Sequence, residues 1–163
     1  MEKVPQPPLP AAATDDVATA LTVEEVQIRI VQAVDALAAW VLSCHTLTFF
    51  EFETRLVPQV LALGRLFVQL FLCMREERFR AAHAQPEPGY KWQGPDARLV
   101  GTLFGKVRYG RTYCFRPGNG YYPLDVELGL TSDGFSMAVR SCATRVATKV
   151  SYAQAVLLLT LFL

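Results

Sequence analysis

Histidine is scarce. The 163 residues hold two, His45 and His83, and neither has a serine or cysteine at a recognisable dyad spacing. No G-x-S-x-G and no H-E-x-x-H occurs, which removes the usual serine-hydrolase and zincin signatures. No G-x-x-x-x-G-K and no G-x-G-x-x-G occurs either, so neither phosphate-loop nor dinucleotide chemistry is indicated. The four cysteines, at 44, 73, 114 and 142, form no C-x-x-C pair, and no secretory leader precedes them. Reduced thiols in a cytoplasmic protein are the expectation. Cys114 precedes a tight turn, where a zinc knuckle would sit, but Pro117 stands where a second ligand is needed. No metal ligand and no catalytic residue is therefore assigned, and no small-molecule substrate is evident. The composition favours a binding or assembly module over an enzyme.

Charge is also sparse, at 19% of residues against 52% apolar, so most of the chain is expected to fold around a core. Its distribution is uneven. Residues 1–55 carry three basic side chains against eight acidic ones, and residues 97–149 carry eight basic against three acidic. An acidic front and a basic back is a pattern seen in nucleic-acid binders, and equally one that solvated strand faces produce.

Pro5, Pro7, Pro8 and Pro10 with an alanine run mark residues 1–20 as a disordered tail. Thr22 with Glu25 is a capping box that opens a helix to about Cys44. Val23, Val26, Ile30, Val34, Leu37, Val41 and Cys44 fall on one stripe. Thr48 with Glu51 repeats the signal. Phe49, Phe52, Leu56, Val60, Leu63, Phe67, Leu70 and Met74 then step by threes and fours, close to a heptad seam that calls for a long helical partner. The first helix supplies one as an antiparallel hairpin over residues 21–84; a second copy supplies another. Pro58 is expected to kink this helix. Leu56 to Met74 also approaches the length of a membrane span, but Arg65 at its centre would cost about 2.5–3.5 kcal/mol in a bilayer. A soluble core helix explains the same residues without that cost.

Residues 85–97 read as a linker, in which Tyr90 and Trp92 pack or stack on a base. Arg98 to Tyr109 alternates as a strand, with Leu99, Leu103, Val107 and Tyr109 on one face and Arg98, Thr102, Lys106 and Arg108 on the other. Arg111 to Arg116 continues it. A hairpin turn at Gly105, one at Gly110, and a single bent strand all fit. Pro117 to Gly120 is a turn. Asp125 and Glu127, two apart, could share a ligand, although solvated or capping roles suit them better. Leu124 to Leu130 connects to a helix capped by Ser132 or Asp133 and running to about Thr148, buried through Met137, Val139, Ala143, Val146 and Ala147. After the Lys149-Val150 turn, Ser151 with Gln154 is a third capping box for a helix Tyr152 to Leu163. The two short helices over 131–163 suit an incomplete helix-turn-helix.

The stretch Thr102 to Val107 (TLFGKV), then Arg111-Thr112-Tyr113, Tyr122-Pro123-Leu124-Asp125 and Leu128-Gly129-Leu130, with Ser151-Tyr152-Ala153-Gln154-Ala155 beyond, resembles the N-terminal region of bacterial DDE-type insertion-sequence transposases. The likeness spans roughly residues 22–163 and rests on the order of individually short motifs. Some of those transposases carry a cysteine pair after the strand, where this chain has Cys114 and then Arg116-Pro117-Gly118. The resemblance implies a truncated transposase. Its catalytic acids, with the two divalent metals they would hold for DNA transposition and recombination, would belong to a domain downstream of the matched region.

The expected fold is thus α+β and mostly α: a long helical hairpin, a small antiparallel β element at 98–130, and two short helices. Lys106, Arg108, Arg111, Arg116, Arg140, Arg145 and Lys149 are the expected contacts to DNA backbone. Leu56, Val60, Leu63, Phe67, Leu70 and Met74 form the expected assembly seam, for a second copy or a full-length transposase. A small membrane protein is the outlying alternative.

Overall fold

Two reciprocal caps decide where the long helices begin. Thr22 and Thr48 each accept a hydrogen bond from the backbone N–H three residues on, and Glu25 and Glu51 reach back to the threonine N–H groups. The computed structural model describes residues 6–8, 21–150 and 154. Helix α1 spans Val23–Ser43 and α2 spans Phe49–Ala82. They fold back as an antiparallel hairpin. Trp40 stacks on Phe52 near the bend, and Leu21 and Val23 reach Cys73 and Glu77 at the open end.

The buried line of α1 runs through Val26 and Trp40, while Val34 and Val41, expected on the inner stripe, are exposed. The stacked Trp40 rotates the contact line away from them. On α2 the buried residues are Gln59, Ala62, Gln69, Leu72, Cys73 and Glu76. They lie on a face adjacent to the heptad seam. Leu56, Leu63, Leu70 and Met74 are half-buried, and Val60 and Phe67 are exposed. The helix continues through Pro58.

Three strands follow, antiparallel in the order β1-β2-β3: β1 Lys91–Thr102, β2 Gly105–Arg116 and β3 Asn119–Tyr121. The expected linker is therefore shorter than residues 85–97, because its second half is strand. Gly94 and Pro95 are tolerated there because the register shifts between Gln93 and Pro95, and because β1 is an edge strand that can spare an N–H. The hairpin turn is Leu103-Phe104, with Gly105 at φ +101° behind it. Thr102 Oγ1 accepts from the Phe104 N–H and donates to the Gly105 carbonyl, closing the turn. Gly110 lies inside β2.

This reversal changes which residues share a face. Val100 lies opposite Val107 and Arg98 opposite Tyr109, whereas Leu99 lies opposite Arg108. Leu99 is consequently exposed rather than in the core, and Arg98 turns inward. The core is Leu72, Val100, Val107, Tyr109 and Leu124, with Val68, Leu128 and Leu130 against it.

Part of the sheet edge is covered on each side. Gln69 Nε2 donates to the Arg108 carbonyl at 3.0 Å, so α2 lies along the part of β2 that β3 leaves open. Gly101 exchanges bonds with the Gly134 carbonyl (2.7 Å) and the Ser136 N–H (2.9 Å), which docks the 131–136 loop on the outer edge of β1. A Cβ at Gly101 would meet the Phe135 ring at 2.7 Å, so only glycine allows this approach.

Pro117-Gly118 makes the expected turn into β3, with Gly118 at φ +77°. The segment after β3 is a one-turn helix, α3 (Pro123–Glu127). It ends in a Schellman motif: the N–H groups of Leu130 and Gly129 bond the carbonyls of Asp125 and Val126, with Gly129 at φ +63°. Helix α4 spans Met137–Ala147 and is capped by Ser136, later than Ser132 or Asp133. Asp133 instead accepts from the Thr131 hydroxyl and the Phe135 N–H and shapes the loop. Of the expected buried face of α4, Val139 is buried, Ala143 and Val146 are half-buried, and Met137 and Ala147 are exposed. The third capping box and its helix, Gln154 apart, lie outside the described residues, as does most of the 1–20 tail. The fold is α+β, with 54% of the described residues helical and 20% strand.

Candidate functional site

The basic half of the molecule is organised around one buried acid. Asp125, on α3, accepts from the Tyr109 hydroxyl, from Arg98 (2.6 Å) and from Arg111. Arg98 also donates to the Thr131 carbonyl. The Arg111 guanidinium lies 3.4 Å from the centre of the Tyr122 ring and reaches Asp96, which accepts from the Tyr122 hydroxyl at 2.7 Å. Burial, then the bond to Asp125, pushes the Tyr109 phenol well above its ordinary value. Tyr109 thus stays a neutral donor. Asp125 and Glu127 do not share a ligand, because Glu127 pairs with Arg75 of α2.

The remaining acids are bonded too. Between residues 91 and 150 there are four, Asp96, Asp125, Glu127 and Asp133, and each pairs with an arginine. Nine basic side chains occupy the same span. Arg98, Arg111 and Arg140 are bonded to these acids. Among the described residues, Lys91, Lys106, Arg108, Arg116, Arg145 and Lys149 have no carboxylate partner. The surplus positive charge is therefore a property of the folded surface as well as of the composition.

The seven basic residues singled out in the sequence divide accordingly. Lys106 and Arg116 stand exposed on β2, Arg108 is half-exposed there, and Arg116 also faces the Tyr90 ring. Arg145 and Lys149, four apart, project from the end of α4. They rim an open groove of about 470 Å³ with an apolar floor that includes Leu103, Cys142, Val146 and Val150. Cations at a helix C-terminus also complement its partial negative charge. Arg111 and Arg140 belong to the framework: Arg111 to the Asp125 cluster, Arg140 to Thr131 and Asp133.

Sequence reasoning missed Lys91, whose strand was read as linker. It also missed Asp125 as a hub, because Arg98, Tyr109 and Arg111 converge on it only after the 103–104 reversal. One signal did exist: three acids among eight bases over 97–149 are each within reach of a cation. No group of three or more His, Cys, Asp or Glu side chains converges among the described residues. With Asp125 held by two arginines and a tyrosine, the acids here do not fit a two-metal centre, and no step is derived through one. No protein-family model, no curated protein and no solved structure matches this chain.

Proposed function

We propose that this chain is the N-terminal region of a transposase-like protein, a cytoplasmic module that contacts DNA backbone and assists assembly. The observation that carries the DNA half is the set of cations with no carboxylate partner, Lys106, Arg108, Arg116, Arg145 and Lys149 foremost. Unpaired surface cations are free to displace counterions from phosphate, whereas Arg111 and Arg140 are already neutralised. The motif order around TLFGKV and YPLD supports the transposase reading. These cations sit on a strand and at a helix end, and none of the described helices displays a row of base-reading side chains, so binding is weak and indifferent to sequence. In a fluorescence-anisotropy titration, unrelated duplexes of equal length should bind alike, and Arg145→Gln with Lys149→Gln should weaken all of them equally. Tight binding to one duplex alone would count against the proposal.

A second reading rests on the exposed Val60 and Phe67 of α2. In it, the helical hairpin is the acting part and engages a full-length copy of such a protein through the seam. Pull-down by a catalytic-length chain in the absence of DNA separates it from the first.

A further inference from the structure

The helical hairpin has two broad sides. On one, Gln69, Leu72 and Glu76 of α2 meet the sheet. The other carries the heptad seam, which the described residues leave partly open: Phe49 at its start is 74% exposed, and Val60 and Phe67 nearer the middle are 50% and 51% exposed. Helical geometry brings α1 into the same surface. With 100° per residue, Val34 and Val41 stand about 100° and 80° from the Val26–Trp40 contact line, and Val60 and Phe67 at a similar angle from the α2 line facing α1. Because the helices are antiparallel, these rotations carry both pairs to the side away from the sheet. Val34 (44% exposed) then lies level with Val60, given the Trp40–Phe52 stack and the Val23–Glu77 bond at the two ends.

We propose that this face packs on the same face of a second copy, α2 against α2 in antiparallel sense about a two-fold axis. The inference deepens the assembly half of the reading above and does not depend on DNA contact. Three observations select this occupant. The seam steps by threes and fours, the period that a helical partner requires and a lipid surface does not. Its size fits. A helix of 34 residues beside one of 21 gives a surface on the order of 800 Å², which is half of a standard interface and larger than the apolar patch of a typical monomer. Its charges are self-complementary. Glu53 and Arg78 lie at opposite ends of the open side of α2, both exposed, and neither has an ion-pair partner among the described residues. An antiparallel two-fold puts Glu53 of each copy beside the second copy's Arg78.

The test is sedimentation equilibrium of the full chain, with circular dichroism to follow helix content. The wild type should be a dimer. Val60→Glu with Phe67→Glu should raise the dimer dissociation constant by about 30-fold or more at unchanged helix content. Both positions face outward, so the fold is expected to survive. Glu53→Lys or Arg78→Glu alone should weaken the dimer, and the two together should restore it. A monomeric wild type overturns the proposal, whether the chain instead partitions into phosphatidylcholine vesicles or dimerises only once residues 155–163 are deleted. So does a dimer indifferent to these substitutions. Arg145→Gln with Lys149→Gln serves as the independent arm: it should weaken DNA binding and leave the dimer intact.

Discussion

Asp125 decides which cations of this protein remain free. By holding Arg98 and Arg111 it removes two guanidinium groups from the surface, and with Tyr109 it ties α3 to both long strands. Asp125→Asn leaves largely buried Arg98 without a counter-charge and Arg111 with only the longer pair to exposed Asp96, and should cost about 3 kcal/mol in urea unfolding. Glu76 is a buried acid of a different kind. Burial, opposed by the bond from Thr112, raises its carboxyl above the ordinary 4.5, and its Oε2 has no partner. The folded state therefore favours the protonated form. That contribution is complete below pH 4.5 and is lost as pH rises through the raised folded value. Glu76→Gln should accordingly match the wild type in melting temperature at acid pH and exceed it increasingly towards neutrality. An unchanging difference would mean that Glu76 titrates normally. Neither role was legible in the chain order, since Asp125 meets residues 14 to 27 positions away and Glu76 meets one 36 away.

At the scale of elements, what could be read was what is local. Both capping boxes and the Pro-Gly turn involve partners within four positions, so spacing alone identified them. Their carboxylates titrate opposite to Glu76: hydrogen bonds to Thr22 and Thr48 hold Glu25 and Glu51 below 4.5, so their contribution is lost as pH falls through the lowered values. Thr48→Ala should cost about 1 kcal/mol in thermal or chemical unfolding. The position of the hairpin turn was not legible, because Gly105 and Gly110 both suit a reversal and the choice fixes the parity of every later side chain. The face of α2 that would be buried was equally hidden. Gln69 and Glu76 do not read as a core stripe, yet they meet the sheet, and Gly64 admits the Phe104 ring of the hairpin turn. A Cβ at Gly64 would come within 2.3 Å of that ring. Gly64→Val should therefore destabilise by about 1–3 kcal/mol through overpacking, and Phe104→Ala in the same chain should relieve part of that loss.

The molecule as a whole presents two contrasting surfaces. The hairpin side away from the sheet is apolar and suited to a second copy, while the β element and α4 carry positive charge that no acid among the described residues neutralises. By length and composition each of α1 and α2 could cross a membrane: they run 21 and 34 residues, and their most apolar 18-residue windows have mean hydropathy 1.3 and 1.8. Yet α2 is held to the sheet in mid-length through Gln69 and Glu76, a polar attachment that lipid would not offer. Composition revealed the charge asymmetry, and folding determined which charges stay available. The measurement closest to that claim is the dependence of duplex-DNA affinity on salt. A log-log plot for the wild type should fall with a slope near −4.5, about 0.9 for each phosphate contacted by Lys106, Arg108, Arg116, Arg145 and Lys149. Replacing Lys106, Arg116, Arg145 and Lys149 with glutamine should flatten it to a slope near −1, whereas Arg140→Gln should leave it unchanged. A wild-type plot without slope, or an equal flattening by Arg140→Gln, would contradict the account.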